Sequence, residues 1–461
     1  MRFVPRTITV ATSVAIVVFA GLGVVRPVAA AAPASPVVLH VGQIDHQDVT
    51  PRPGSEFDTL VEPDVATSPA NPDIAVAVAH DGRYATGGAV AIAYAWTHDG
   101  GATWHHAPLP RLTKATGGVW DRASDPIVAF GPGGNVYVST LVFDLGCQGG
   151  VAVSRSTNGG ATFAAPILVH SSVSCNYSDD KNFLVVDNQT ASEHFGRLYQ
   201  FWTAFLTVNG HAAGSPQVLR WSDDHGATWS PTTVVTTPHE NTQDSQAMIH
   251  GDGTITDTYL GPGISFVART SQDGGATWDA ETVITHSTGG GPAGIRCCLP
   301  AGAADPVTGR MYVVWEANGP GTSDAVELTT SIDGHHWSAT KQVGPGGGGT
   351  TLQPVNATVT AYNGRVFVSY GILNTAIANG RFIQQEASTS YDGGATFGPA
   401  LKLGPLSDLK YAAFAGGKFP GDYIGASATQ TKVYLVWCVS STPPVSTQKF
   451  HQTLFAAVLR P

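Results

Sequence analysis

Charge is scarce in this 461-residue chain. Asp, Glu, Lys and Arg make up 13% of it, with 24 basic residues against 34 acidic ones. A basic stripe able to follow a phosphate backbone cannot be assembled from so few cations, which excludes nucleic acid as a partner. No segment keeps a sustained helical period, which excludes bundles and coiled coils. Beyond the N-terminus no run is apolar and long enough to span a membrane. The glycine run Gly344-Pro-Gly-Gly-Gly-Gly349 is a flexible connector and not a phosphate loop, because no Lys-Ser/Thr follows it. No Cys/His group has zinc-ligand spacing, so neither a metal nor a cofactor is expected.

The N-terminus has the form of a secretory leader. Arg2 and Arg6 precede an apolar run from Ile8 to Val25, and small residues follow around Ala29–Ala32. Residues 1–36 therefore read as a signal peptide with its cleavage region, an uncleaved anchor being the alternative. The leader holds three bases (Arg2, Arg6, Arg26) and no acid, which leaves 21 bases against 34 acids, net −13, in residues 37–461. Secretion makes disulfides the expectation for the five cysteines, with one left over. Cys147 and Cys175 flank one hairpin and can close a local bridge, and Cys297-Cys298 can form a vicinal one. Cys438, inside Lys432-Val-Tyr-Leu-Val-Trp-Cys-Val, reads as a buried thiol.

Glycine (54) and proline (30) are abundant, as many short strands and tight turns require. One motif recurs six times: Thr97-His-Asp-Gly-Gly-Ala-Thr-Trp104, Ser156-Thr-Asn-Gly-Gly-Ala-Thr-Phe163, Ser222-Asp-Asp-His-Gly-Ala-Thr-Trp229, Ser271-Gln-Asp-Gly-Gly-Ala-Thr-Trp278, Ser331-Ile-Asp-Gly-His-His-Trp337 and Ser390-Tyr-Asp-Gly-Gly-Ala-Thr-Phe397. Asp or Asn before Gly is hairpin chemistry, and the closing Trp or Phe can tuck into an apolar layer between sheets. Trp104, Trp229, Trp278 and Trp337 have a second reading as a sugar-stacking set, although their turns already account for them. Regular recurrence of one supersecondary unit predicts an all-β propeller of four-stranded blades.

The motif S/T-x-D-x-G-x-T-W/F resembles the Asp box of the sialidase (BNR-repeat) superfamily, and the resemblance spans residues 60 to about 440. It implies a propeller with these boxes on the outer hairpins, away from the substrate face. It also implies a retaining exo-glycosidase with an arginine triad for a carboxylate, a tyrosine–glutamate nucleophile and an aspartate acid/base. The chain departs from that pattern. Where an aromatic-Arg-Ile-Pro segment would stand it has Val61-Glu-Pro-Asp-Val, with Glu62 near the place of a guanidinium. Arg122 and Arg296 can supply two arginines, and Arg52 and Arg381 are the remaining candidates for a third.

Between the boxes, lead-ins to small-residue strands recur at Glu62, Asp125, Asn182, Ser245, Pro300, Pro354 and Asp422. Seven lead-ins against six boxes favour seven blades, the last completed by the N-terminal strand Val37–Val41. Six is possible if one lead-in belongs to an insertion. Residues 37–461 would then form a single, monomeric propeller domain.

In a propeller the substrate site lies at the axial mouth, at the ends of the innermost strands. That filter selects Asp64, Asp125, Asp422 and Tyr423 as catalytic candidates, and Glu62, Arg122, Tyr177, Lys181 and Arg296 as substrate-binding ones. Asp179, Asp180 and Asp244 share the region. Glycosidic cleavage needs a protonated group at the leaving oxygen and a second group as nucleophile or base. Asp64 and Asp125 read equally well as caps on a neighbouring blade's backbone. Two functions fit: an extracellular glycoside hydrolase, and a non-catalytic propeller binding glycan or protein.

Overall fold

The strand Ala75–Arg83 begins Ala-Val-Ala-Val-Ala, and its two faces have separate uses. Val76 and Val78 pack toward Val128, Val136 and Val138 of the following sheet. Ala75, Ala77 and Ala79 pack toward Tyr434, Val436, Leu454 and Ala456 at the C-terminal end of the chain. Period-two side-chain direction thus lets one strand serve two apolar layers. The pattern repeats along the chain, and strands covered on both faces are buried almost throughout, as in Met-Tyr-Val-Val-Trp-Glu-Ala over Met311–Ala317.

The computed structural model describes residues 35–46, 49–286, 290–318, 324–344, 351–378 and 380–461. The signal-peptide reading, but for residues 35 and 36, and the glycine run at 345–349 lie outside them. Among the described residues the helical pieces are four 3-10 turns of three residues each, and no helix is long and apolar enough to cross a membrane. The chain is all-β, built of antiparallel sheets that are mostly four-stranded. Their first strands are Asp64–Thr67, Arg122–Phe130, Tyr177–Val186, Gln243–Ile249, Ala301–Ala304, Leu352–Tyr362 and Gly425–Ala428. The first two units are joined into one sheet through the Ala89–Ala123 pair. Each first strand lies beside the next, and Gly425–Ala428 lies beside Asp64–Thr67. The N-terminal strand, expected at Val37–Val41, runs over Val37–Asp45 and pairs antiparallel with Gln452–Arg460.

The recurrent turns close the outer hairpins. Asp99 Oδ1 accepts the Thr103 N–H at 2.9 Å, Oδ2 accepts the Thr103 hydroxyl at 2.6 Å, and Thr97 Oγ1 donates to Oδ1 at 2.8 Å. Asp224, Asp273 and Asp392 repeat this set. At Gly101, with φ of 84°, a Cβ would sit 2.5 Å from Val458, so this turn needs glycine for space as well as for conformation. Trp104, Trp229, Trp278 and Trp337 are half-buried against the inter-sheet layers. Cys147–Cys175 and Cys297–Cys298 are disulfides, and Cys438 is a buried free thiol.

Candidate functional site

The first strands are irregular where they open. Their register shifts between Ser124 and Ile127, Asp180 and Phe183, Gln243 and Gln246, and Val355 and Thr358. Inside those bulges Asp125, Lys181, Asp244 and Asn356 have φ of 50°, 46°, 67° and 49°, and Glu62 has φ of 55° at the corresponding point before Asp64–Thr67. Left-handed backbone is uncommon for side chains larger than glycine, and bulges re-aim side chains. Here one device, repeated in successive units, sets charged and polar side chains around a common region.

Glu62, His80 and Asp125 are 3%, 2% and 7% exposed. His80 Nε2 accepts the backbone N–H of Asp125 at 2.7 Å and lies 3.1 Å from Glu62 Oε2. A backbone N–H only donates, so Nε2 takes it with its one lone pair and carries no proton, and its contact with Glu62 is not an ion pair. The electrostatics agree. Burial, then Asp125 and Asp422, push the Glu62 carboxyl well above the usual carboxylate range, against Lys181 and Arg296. Burial pulls His80 down to about 4, leaving it neutral. Ser124 Oγ donates to Asp125 Oδ1 at 2.6 Å. The arrangement is a neutral acid beside a hydrogen-bonded carboxyl group, with one donor atom of each lying within 4.8 Å of the other. These donors are close enough to share a cation. Yet Nε2 is already occupied by the Asp125 N–H, so as folded the imidazole is not free to ligate one.

Lys181 is buried on the same side. Its Nζ lies 3.9 Å from Asp244 Oδ1 and 3.8 Å from the centroid of the Tyr423 ring. Burial pulls its pKa down, but Asp244, Asp125, Glu62 and Asp422 outweigh that and hold the ammonium above its ordinary value. Burial raises Asp244 to about 6, and burial with Asp125 raises Asp180 to about 7. Gln246 and Gln243 donate to these two carboxyls at 3.2 and 3.0 Å. A cavity of about 190 Å³ runs on from here, lined by Asp64, Lys181, Asp244, Tyr423 and the small residues Ala301–Ala303.

The structure thus brings together Glu62, Asp125, Lys181, Arg296, Asp422 and Tyr423, but several candidates take different positions from those expected. Asp64 accepts the Val128 N–H at 2.9 Å, which is the backbone-capping role, and burial raises its carboxyl to about 7. Tyr423 is not poised as a nucleophile: its hydroxyl donates to the Pro126 carbonyl at 3.2 Å, and burial raises its pKa well above the ordinary value. Arg122 leaves the group altogether. Its guanidinium bonds Thr86 Oγ1 and the Gly87 carbonyl at 2.9 and 2.7 Å and stacks 3.9 Å from the Tyr84 ring centroid. Arg381 pairs with Asp408 instead, and Arg52 lines a surface hollow with Tyr84 and Arg122. Arg296 is at the mouth, half-exposed, with Nη2 3.0 Å from Asp422 Oδ2.

Arg83 lies outside the expected set, whereas a neighbouring cleft gathers Tyr177, Asp179 and Asp180 from within it. Arg83 pairs with Glu56 at 3.3 Å, and its guanidinium sits 4.6 Å from the Phe419 ring centroid, with that of Arg296 5.0 Å from the same ring. It belongs to a second strand, where the strand-end filter does not look. Beside the cluster lies an open cleft of about 510 Å³ lined by Ser124, Phe143, Tyr177, Asp179, Asp180 and Phe205. Tyr177 accepts the Trp202 indole N–H at 3.0 Å, and burial raises Asp179 to about 7.

No protein-family profile and no curated protein matches the chain. Solved structures similar to it include a Penicillium chrysogenum alpha-L-arabinanase complexed with arabinobiose, at 12% identity and TM-score 0.49, covering 82% of this chain and 99% of that one. A leech intramolecular trans-sialidase is similar at 12% identity and TM-score 0.48, covering 74% and 70%. A Hadza microbial sialidase is similar at 17% identity and TM-score 0.46, covering 73% and 65%. At such identities and TM-scores these likenesses do not extend to the site's chemistry.

Proposed function

We propose that residues 37–461 form one seven-bladed propeller acting outside the cell as a glycoside hydrolase, with its reaction centre at Glu62 and Asp125. Seven blades are supported by the succession of neighbouring first strands and by the pairing of Val37–Asp45 with the last sheet. An extracellular setting is supported by the two disulfides and by the leader-like N-terminus.

The observation that carries the chemistry is the contact of Glu62 with an unprotonated His80 Nε2. A carboxyl kept neutral near pH 7 is what a leaving glycosidic oxygen needs, and a second carboxyl close by supplies the nucleophile or base. With an oxygen of each within 4.8 Å of the other, the two carboxyls leave little room for the water that the inverting course places between acid and base, which favours the retaining course. Asp422, Arg296 and Lys181 would orient hydroxyl or anionic groups, and the cleft at Asp179–Asp180 would seat the sugar.

The second reading, a non-catalytic glycan- or protein-binding propeller, is favoured by the burial of Glu62, Asp125 and Lys181, which leaves Arg296 as the most exposed charge of the axial cluster. Glycan release from sialosides and a mixed panel of natural glycans separates the two. Hydrolysis lost at least 100-fold in both Glu62→Gln and Asp125→Asn supports the enzyme. No release from any substrate, together with binding on a glycan array that those variants retain, supports the binding module.

A further inference from the structure

Away from the axial cluster, the strands Val37–Asp45 and His105–Pro108 meet where the last sheet adjoins the first. His106 Nδ1 lies 3.2 Å from Asp45 Oδ1. The His46 ring stands edge-on to that of His106, with centroids 4.6 Å apart and planes at 68°. One donor atom from each of Asp45, His46 and His106 lies within 4.8 Å of the other two. The Asp45 carboxylate is 1% exposed, and Oδ1 is oriented by the His46 backbone N–H at 2.7 Å. The trio borders an open cavity of about 590 Å³, which Gln43, Trp104 and Val458 also line.

We propose that Asp45, His46 and His106 bind one divalent transition-metal ion, with a coordination position open to this cavity. Bonds of about 2.0–2.2 Å to imidazole nitrogen and carboxylate oxygen place tetrahedral ligand atoms roughly 3.4 Å apart. The Asp45–His106 pair is already at that spacing, and rotation of the exposed His46 side chain supplies the third ligand. Two imidazoles and a carboxylate select zinc, copper, nickel or iron over calcium or magnesium, which prefer oxygen alone. Asp45 and His46 are adjacent but His106 comes from a distant strand, so no spacing motif announces the site. Because the ligands come from the N-terminal strand, which completes the last sheet, and from the first sheet, the ion would also clamp the seam between those two sheets. The site is independent of the hydrolase reading.

The test is calorimetric titration of zinc into the metal-stripped full chain, with cobalt absorption as a second readout. One zinc should bind per chain and raise the unfolding temperature. His46→Ala and His106→Ala should each weaken binding by more than the roughly 10–100-fold typical of outer-shell changes, with the fold intact by circular dichroism. His336→Ala, which alters the exposed His336–Asp333 pair elsewhere, should leave binding unchanged. Absence of saturable one-to-one binding, or binding unaltered by both ligand substitutions, would overturn the assignment.

Discussion

Replacing Lys181 with methionine tests whether the axial cluster is held by its buried cation. At 3.9 Å from Asp244, a unit-charge pair is worth about 4 kcal/mol at an effective dielectric near 20. The contact with the Tyr423 ring adds on the order of 2 kcal/mol when desolvated. Burying the ammonium costs several kcal/mol in the opposite direction, yet removing one partner strands the carboxylates, and such losses run about 3–5 kcal/mol. We expect Lys181→Met to lose about 3 kcal/mol at pH 8 in urea unfolding followed by tryptophan fluorescence.

The loss should shrink at pH 5. Asp244 titrates near 6 in the folded chain, above its ordinary value of 3.8, so its ionisation costs stability as pH rises through that window. Lys181 lowers the Asp244 pKa. Without it the window extends upward, and the variant keeps losing stability where the parent has levelled off. The lysine itself stays charged throughout, since its pKa is raised further by the carboxylates. Lys181→Met combined with Asp244→Asn should recover about 1–3 kcal/mol of the deficit. A deficit below about 1 kcal/mol at pH 8, flat between pH 5 and 8, would refute the reasoning.

Asp257 is fully buried, accepts Ser245 Oγ at 3.0 Å on one oxygen, and is raised by burial to about 8. Its contribution to stability is full below pH 4 and falls as pH rises through 8. Asp257→Asn should therefore be about 1–3 kcal/mol more stable than the parent at pH 9 and gain little at pH 5, by thermal unfolding at both. Asp392→Ala removes an acceptor for the Thr396 N–H, the Thr396 hydroxyl and Ser390 Oγ, and should cost about 1–2 kcal/mol in urea while glycan release is unchanged. Gly425→Ala would place a Cβ 2.6 Å from the Val65 nitrogen and 2.7 Å from Asp64 Cα, backbone atoms that cannot step aside cheaply. It should cost about 1–3 kcal/mol, and an unchanged midpoint would argue against so close an approach of the last and first sheets.

The repeat was legible because it is carried by local chemistry. A carboxylate or amide two residues after a hydroxyl folds its own turn, so six copies reveal six hairpins without tertiary information. The pairing of Val37–Asp45 was legible for a similar reason, since a last sheet short of a strand leaves an open edge for one to fill. Arg122 shows where the method stops. Its place beside Asp125 suggested the mouth, but strand alternation turns its guanidinium out to Tyr84 and Thr86. His80 and Arg83 escaped because they sit on a second strand, brought to the site by a backbone bond from His80 to the Val61 carbonyl at 2.9 Å.

The least legible feature bears most directly on function. Asp and Asn tolerate left-handed backbone, so Asp125, Asp244 and Asn356 break no strong local preference. Glu62 and Lys181 do break one, with φ of 55° and 46°, and nothing in Val61-Glu-Pro or Asp180-Lys-Asn announces it. Such positions cost of order 1–3 kcal/mol each and persist only where the surroundings enforce them. Here the surroundings are identifiable: the His80 contact for Glu62, and the Asp244 and Tyr423 contacts for Lys181. These two unfavourable residues in turn hold the buried proton and the buried positive charge of the cluster. Departures from local preference are expected where a site, and not the fold, selects the residue. That coincidence supports the roles proposed for Glu62 and Lys181 and separates them from Asp64, whose contact with the Val128 N–H is explained by the fold alone.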